Sequence, residues 1–174
     1  MALERFKEHT PRLGAGAFVH SAATVIGDVE IGERCSIWPA VVMRGDDGPI
    51  RIGAETSIQD GSVVHMTAGL SEVSVGSRVT VGHKVILHGC VVEDECLIGM
   101  GAIVLDNARI GRGSLVGAGA LVLGNLQVPP GSLVLGSPAK VVRALNEKER
   151  AMIEMGWIEY VERAAQYLAR DAEG

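Results

Sequence analysis

Three histidines near the middle of the chain, His65, His83 and His88, are the side chains best suited to carry chemistry. A neutral imidazole offers one lone-pair nitrogen, and histidine is the commonest protein ligand for metals of the zinc type. Three such nitrogens around one ion leave a fourth position open for water, whose pKa then falls to about 7. A single histidine does something simpler, taking a proton as a general base. Stacked histidines can also serve only as hydrogen-bonding groups at an interface. The choice depends on whether the three rings can meet, and so on the elements that hold them. His9 and His20 lie apart from this group and read as surface or capping side chains.

Those elements follow from a six-residue frame. Aliphatic side chains stand at Val19, Val25, Ile31, Ile37 and Met43, then at Ile52, Ile58 and Val64, then at Val75, Val81 and Leu87. A last run keeps the same period through Val92, Ile98, Val104, Ile110, Val116, Val122, Val128 and Val134. Neither an α-helix nor an alternating hairpin has this period. A parallel β-helix does: six residues make one short strand and a corner, and three such units close a coil. The aliphatic residue points inward, and a glycine beside it (Gly32, Gly53, Gly76, Gly82, Gly99, Gly111, Gly117) helps turn the corner. Composition agrees. Apolar residues reach 47% but aromatics only 3%, with 23 glycines, as expected of a narrow interior with small repeated slots.

The frame slips three times. Three extra residues fall within Arg44–Pro49, five around Thr67–Ser71, and the step from Leu87 to Val92 is one residue short. Insertions leave a solenoid's stack and collect where function does. Counting inward positions through these slips puts Val64 and Leu87 on the same face in adjacent coils. His65 and His88 therefore share one column, about 4.8 Å apart, and point away from the core. His83 follows Val81 by two and belongs to the next face, in one column with Asp60. One rigid prism cannot easily bring His83 to the other two, but a second chain presenting that face can, and threefold packing does so three times. Arg44 falls one coil before His65, so Arg44 and Asp60 lie on the two faces that would meet and are suited to pair across them.

After Gly136–Lys140 the pattern changes. Asn146 with Glu149 has the spacing of a helix cap, and Met152, Ile153, Trp157, Tyr160, Val161, Ala164 and Leu168 recur at helical spacing. Trp157 and Tyr160 read as packing residues. The expected organisation is a β-helix with a short lead-in over 1–142 and a helix packed on it over 143–174. A net charge of −5 argues against a nucleic-acid partner. Cys35, Cys90 and Cys96 form neither a disulfide framework nor a zinc ribbon, and no segment has the layout of a signal or the length of a membrane span. A reduced, cytoplasmic setting is expected.

Three segments together resemble the γ-class carbonic anhydrase family: Ile37–Asp47 (IWPAVVMRGDD), Ile58–His65 (IQDGSVVH) and Val81–Cys90 (VGHKVILHGC). The resemblance spans about Val19 to Arg143. It implies an all-β solenoid, a left-handed parallel β-helix of hexapeptide repeats with a C-terminal α-helix, assembled as a homotrimer. It implies zinc, or iron or cobalt, at each subunit interface, with His65 and His88 from one subunit and His83 from the next. It further implies intersubunit ion pairs from Arg44, Asp46 and Asp60. Gln59 would hydrogen-bond the metal-bound water, and Asp47 would take part in proton transfer. The implied activity is reversible hydration of carbon dioxide by metal-bound hydroxide. One departure is the stretch Met66–Glu72, which is short and carries a single acidic residue, Glu72, where the archetype has a long acidic loop. The repeat is shared with acyltransferases, so a CoA-dependent transferase, a non-catalytic metal-bearing scaffold and a metal-assisted hydrolase of small thioesters are the other readings.

Overall fold

In a computed structural model that describes the backbone of residues 2–173 and the side chains of 3–170, the chain forms a parallel β-solenoid closed by one long helix. Each coil contributes short strands to three faces, and every coil-to-coil pairing within the solenoid is parallel. The three inward columns are those of the six-residue frame. Val25, Met43, Val64, Leu87, Val104 and Val122 stack on the first face. Ile31, Ile52, Val75, Val92, Ile110 and Val128 line the second, and Val19, Ile37, Ile58, Val81, Ile98, Val116 and Val134 the third. All are buried except the partly covered Val19. The three cysteines fill corners of this same core beside Val79, Val85, Ala102 and Ala108.

The glycines of the frame work differently from the expectation. Gly32, Gly53 and Gly76 do not adopt positive φ; the left-handed corner positions lie two residues on, at Arg34 (52°), Glu55 (59°) and Arg78 (57°). What these glycines supply is closeness, since a Cβ on Gly53 would sit 2.5 Å from the carbonyl carbon of Gly76 in the next coil. The corner residues carry alternating charge instead: Arg34 pairs with Glu55 and Arg78 with Glu95.

The three extra residues of Arg44–Pro49 stay inside one long strand, Val42–Ile52, which pairs with Thr24–Ile31 and bulges where the register shifts beyond Gly27. These two strands run round a corner and join the first two faces into a twelve-stranded sheet. The solenoid ends in Ser132–Gly136, which pairs antiparallel with Ala139–Ala144, a strand that the six-residue frame does not foresee. Helix α1 (Glu147–Glu173) follows. Its cap is reciprocal, Glu149 N–H donating to Asn146 Oδ1 (3.0 Å) and Asn146 N–H to Glu149 Oε2 (2.8 Å). The helix lies along the third face, where Tyr160 and Tyr167 pack on Phe18 and Trp38 with ring centroids 5.2–5.6 Å apart. Met152 and Leu168, expected in the buried stripe, stay exposed.

Because the space above Gly53 is filled by backbone, Gly53→Ala is expected to cost about 1–3 kcal/mol by overpacking. Denaturant unfolding measures it, and unchanged stability would show that coil spacing is not limiting there.

Candidate metal centre

His65 and His88 end the strands Val63–His65 and Ile86–His88, and the two residues are direct partners in the parallel ladder. Their rings stack with centroids 5.4 Å apart, and His65 Nδ1 lies 3.4 Å from His88 Nε2. Two nitrogens bound to one tetrahedral zinc at about 2.05 Å each lie about 3.35 Å from one another. The pair therefore fits two of the four corners of a zinc site.

The opposite nitrogen of each ring faces a carboxylate. His65 Nε2 lies 3.2 Å from Asp46 Oδ1 and 3.5 Å from Asp47 Oδ2, which together form a cluster of possible ligand atoms. His88 Nδ1 lies 3.1 Å from Asp106 Oδ2. His83 Nδ1 lies 2.9 Å from Asp60 Oδ2, as their shared column requires. A carboxylate on the rear nitrogen fixes the tautomer and aims the other lone pair outward, as in carboxylate–histidine–metal triads. Burial works to raise the Asp46 pKa, but Arg44, bonded at 2.5 Å, and His65 outweigh it and hold the carboxylate below its ordinary range. Asp106 is held low in the same way, the Ser71 hydroxyl and His88 overcoming its burial.

Within the single chain His83 does not join the other two: among the described residues, no group of three ligands contains more than one histidine. His83 stands on the corner between the first and third faces. It lines a mostly apolar groove of about 410 Å³ with Gln59, Leu97, Met100, Leu115 and Ala118. Gln59 is buried at 5% exposure, and Arg44 takes an intrachain partner in Asp46. Asp47 is 43% exposed and stands on the rear nitrogen of His65, away from His88. Asp106 and Ser71 escape the sequence reading. The available signal was that Asp106 lies one coil beyond His88, shifted by the short step at Gly89. The cysteines take no part, because burial pushes the thiol of Cys35 up to about 11 and those of Cys90 and Cys96 to about 12.

The repeat and its coils define a hexapeptide-repeat protein, and the sequence profile described as bacterial transferase hexapeptide (six repeats) matches residues 89–124. The chain is 50% identical to a carbonic anhydrase of Geobacillus kaustophilus over 94% of its own length and 90% of that protein. It is 40% identical to the mitochondrial gamma carbonic anhydrase 1 of Arabidopsis thaliana, covering 95% of this chain and 62% of that one. A crystallised hexapeptide transferase family protein from Anaplasma phagocytophilum superposes with a TM-score of 0.90 at 37% identity, over 95% of this chain and 98% of that one. The chain belongs to the γ-class carbonic anhydrase family.

The carboxylate contacts set the neutral tautomers. Side-chain ¹⁵N spectra of the metal-free protein are expected to show Nδ1–H for His83 and His88 and Nε2–H for His65. The reverse assignment for His88 would mean that Asp106 does not orient it.

Proposed function

We propose that the chain is a homotrimeric, metal-dependent carbonic anhydrase that hydrates carbon dioxide reversibly at three sites between subunits. His65 and His88 come from one chain and His83 from the next. The observation that carries this reading is the 3.4 Å pair of lone-pair nitrogens on one face, with a third carboxylate-backed histidine on a neighbouring corner.

The outward side chains support a trimer. On the face of His65 and His88 they include Val42, Val63, Ile86, Ile103 and Leu121, in register from coil to coil. On the second face they include Glu30, Arg51, Ser74, Arg109 and Gln127, and the third lies under the helix. The aliphatic stripe is left uncovered, with Val63 39% and Ile86 37% exposed. Burying such a stripe contributes about 25 cal/mol per Å². Coil by coil, the corner that bears Asp60, His83, Met100 and Ala118 matches this face in polarity, level with His65, His88, Leu105 and Leu123. Polar meets polar on two coils and apolar meets apolar on the next two. The mostly apolar groove beside His83 would take the neighbour's aliphatic side chains.

Zinc, or iron or cobalt, would supply the Lewis acidity that lets water ionise near neutral pH. The three imidazoles bring no charge of their own, and their carboxylates keep each lone pair aimed at the shared point. The Gln59 amide, beside His83 in the groove, would hydrogen-bond the reacting water. Asp47, with 43% of its side chain exposed next to His65, would carry a proton outward at Oδ2. Arg44, with 43% of its side chain exposed, can reach a neighbour's Asp60 as well as Asp46. An acyltransferase would explain the coils but not three histidines each backed by a carboxylate.

Stopped-flow carbon dioxide hydration with metal analysis tests this. The protein is expected to be a trimer holding one metal per chain, with turnover lost after chelation and restored by zinc. His83→Ala, which removes no core volume, is expected to abolish metal uptake while leaving the circular dichroism unchanged. Uptake that survives His83→Ala, or activity indifferent to chelators, would refute the proposal. Ile103→Asp should yield monomers that no longer bind metal; a trimer that tolerates it would place the interface elsewhere.

A further inference from the structure

The bulge Thr67–Ser71 leaves the solenoid just after His65, yet it is tied back to Asp106. Met66, fully buried, anchors its start, and the turn closes on itself through Leu70 N–H and Ser71 N–H donating to Thr67 O (3.1 and 3.2 Å). The Ser71 hydroxyl then sits between two groups. It accepts from Thr67 N–H (3.2 Å) and donates to Asp106 Oδ1 (2.5 Å). Asp106 in turn faces His88 Nδ1 at 3.1–3.2 Å through both of its oxygens. Gly89 leaves the room for this meeting, since a Cβ there would fall 2.0 Å from Ser71 Oγ and 2.1 Å from Asp106 Oδ1.

The chain of hydrogen bonds runs in only one direction. An ionised carboxylate only accepts, so Ser71 must donate its single proton to Asp106 and can only accept from Thr67. Asp106 must then accept from His88, whose proton is placed on Nδ1 and whose lone pair is left on Nε2, facing His65. With its side chain 30% exposed, His88 would otherwise be free to turn or to take the other tautomer.

We propose that Ser71 and Asp106 are positioning residues for His88: the short bulge clasps Asp106, and Asp106 fixes the ring that His65 needs as its partner. This rests on the metal-centre reading above and deepens it. The bulge then acts through orientation and contributes no acid of its own to the reaction.

The test is zinc affinity, measured by competition with a chromophoric chelator on Ser71→Ala, Asp106→Ala, Asp106→Asn and the Ser71→Ala/Asp106→Ala double variant, with ¹⁵N spectra of the metal-free forms. Asp106→Ala is expected to weaken zinc about 10–100-fold. Ser71→Ala should weaken it about 5-fold, the scale of one hydrogen bond, and should add nothing once Asp106 is gone. Asp106→Asn, which can still accept from His88, should fall between Asp106→Ala and the unaltered protein. Both alanine variants should let His88 populate Nε2–H, a change that mere loosening of a surface turn would not cause. Should Asp106→Ala fail to fold, Ser71→Ala and its His88 tautomer decide the matter. Full affinity in Asp106→Ala, or an equal loss from Ser71→Ala with and without Asp106, overturns the clasp while leaving the metal centre standing. An unaltered protein that takes up no zinc, iron or cobalt overturns both.

Discussion

Successive coils are joined by parallel backbone hydrogen bonds held in register, and this ladder turns position in the chain into a column in space. Strands in such a ladder stand about 4.8 Å apart, so equivalent side chains of neighbouring coils are in contact. Aliphatic residues stack on aliphatic residues inside, and the same rule places the ring of His65 on that of His88. The ladder also dictates how extra residues are handled. Those in Arg44–Pro49 bulge within a continuing strand and bring Asp46 and Asp47 to His65, while those of Thr67–Ser71 leave the stack and are tied back at Asp106.

The three faces have separate tasks. The third is covered by the chain's own helix, through the aromatic contacts of Phe18 and Trp38. The second is charged and suited to water, with Arg109 on Glu93 and Arg51 on Asp28 and Glu30. The first carries His65 and His88 beside an uncovered aliphatic stripe. The magnitudes rank the forces that would close this face against a partner. An exposed ion pair contributes about 0–1 kcal/mol, whereas burying several aliphatic side chains contributes about 1.5–3 kcal/mol each. Association would rest on the stripe, and charges such as Arg44 and Asp60 would set its register.

At the centre itself, the recurring device is a carboxylate behind each imidazole. Asp46 with Asp47, Asp60 and Asp106 come from three different coils and serve three different rings. Two of these are themselves held: Asp46 by Arg44 and Asp106 by Ser71. The lone pairs would therefore be aimed before any ion arrived, leaving less ordering to occur on binding. The short stretch after His65 fits this pattern, because it contributes a hydroxyl to the supporting shell.

The sequence by itself determined the period, and with it the solenoid, the inward columns, the pairing of His65 with His88 and of His83 with Asp60, and the cap at Asn146. All but the cap, which is read from the spacing of Asn146 and Glu149, follow from a repeat in which each coil is built like the last, so counting residues is enough to locate them. Only the tertiary structure decided that Asp46 and Asp47 stand behind His65 and Asp106 behind His88, why Gly53 must lack a side chain, and that Ala139–Ala144 turns back on the last coil. Those features depend on the paths of bulges and corners, where the period fails and contact is made between residues that no fixed spacing relates. Asp106 and Ser71 meet in this way, through the empty space left by Gly89.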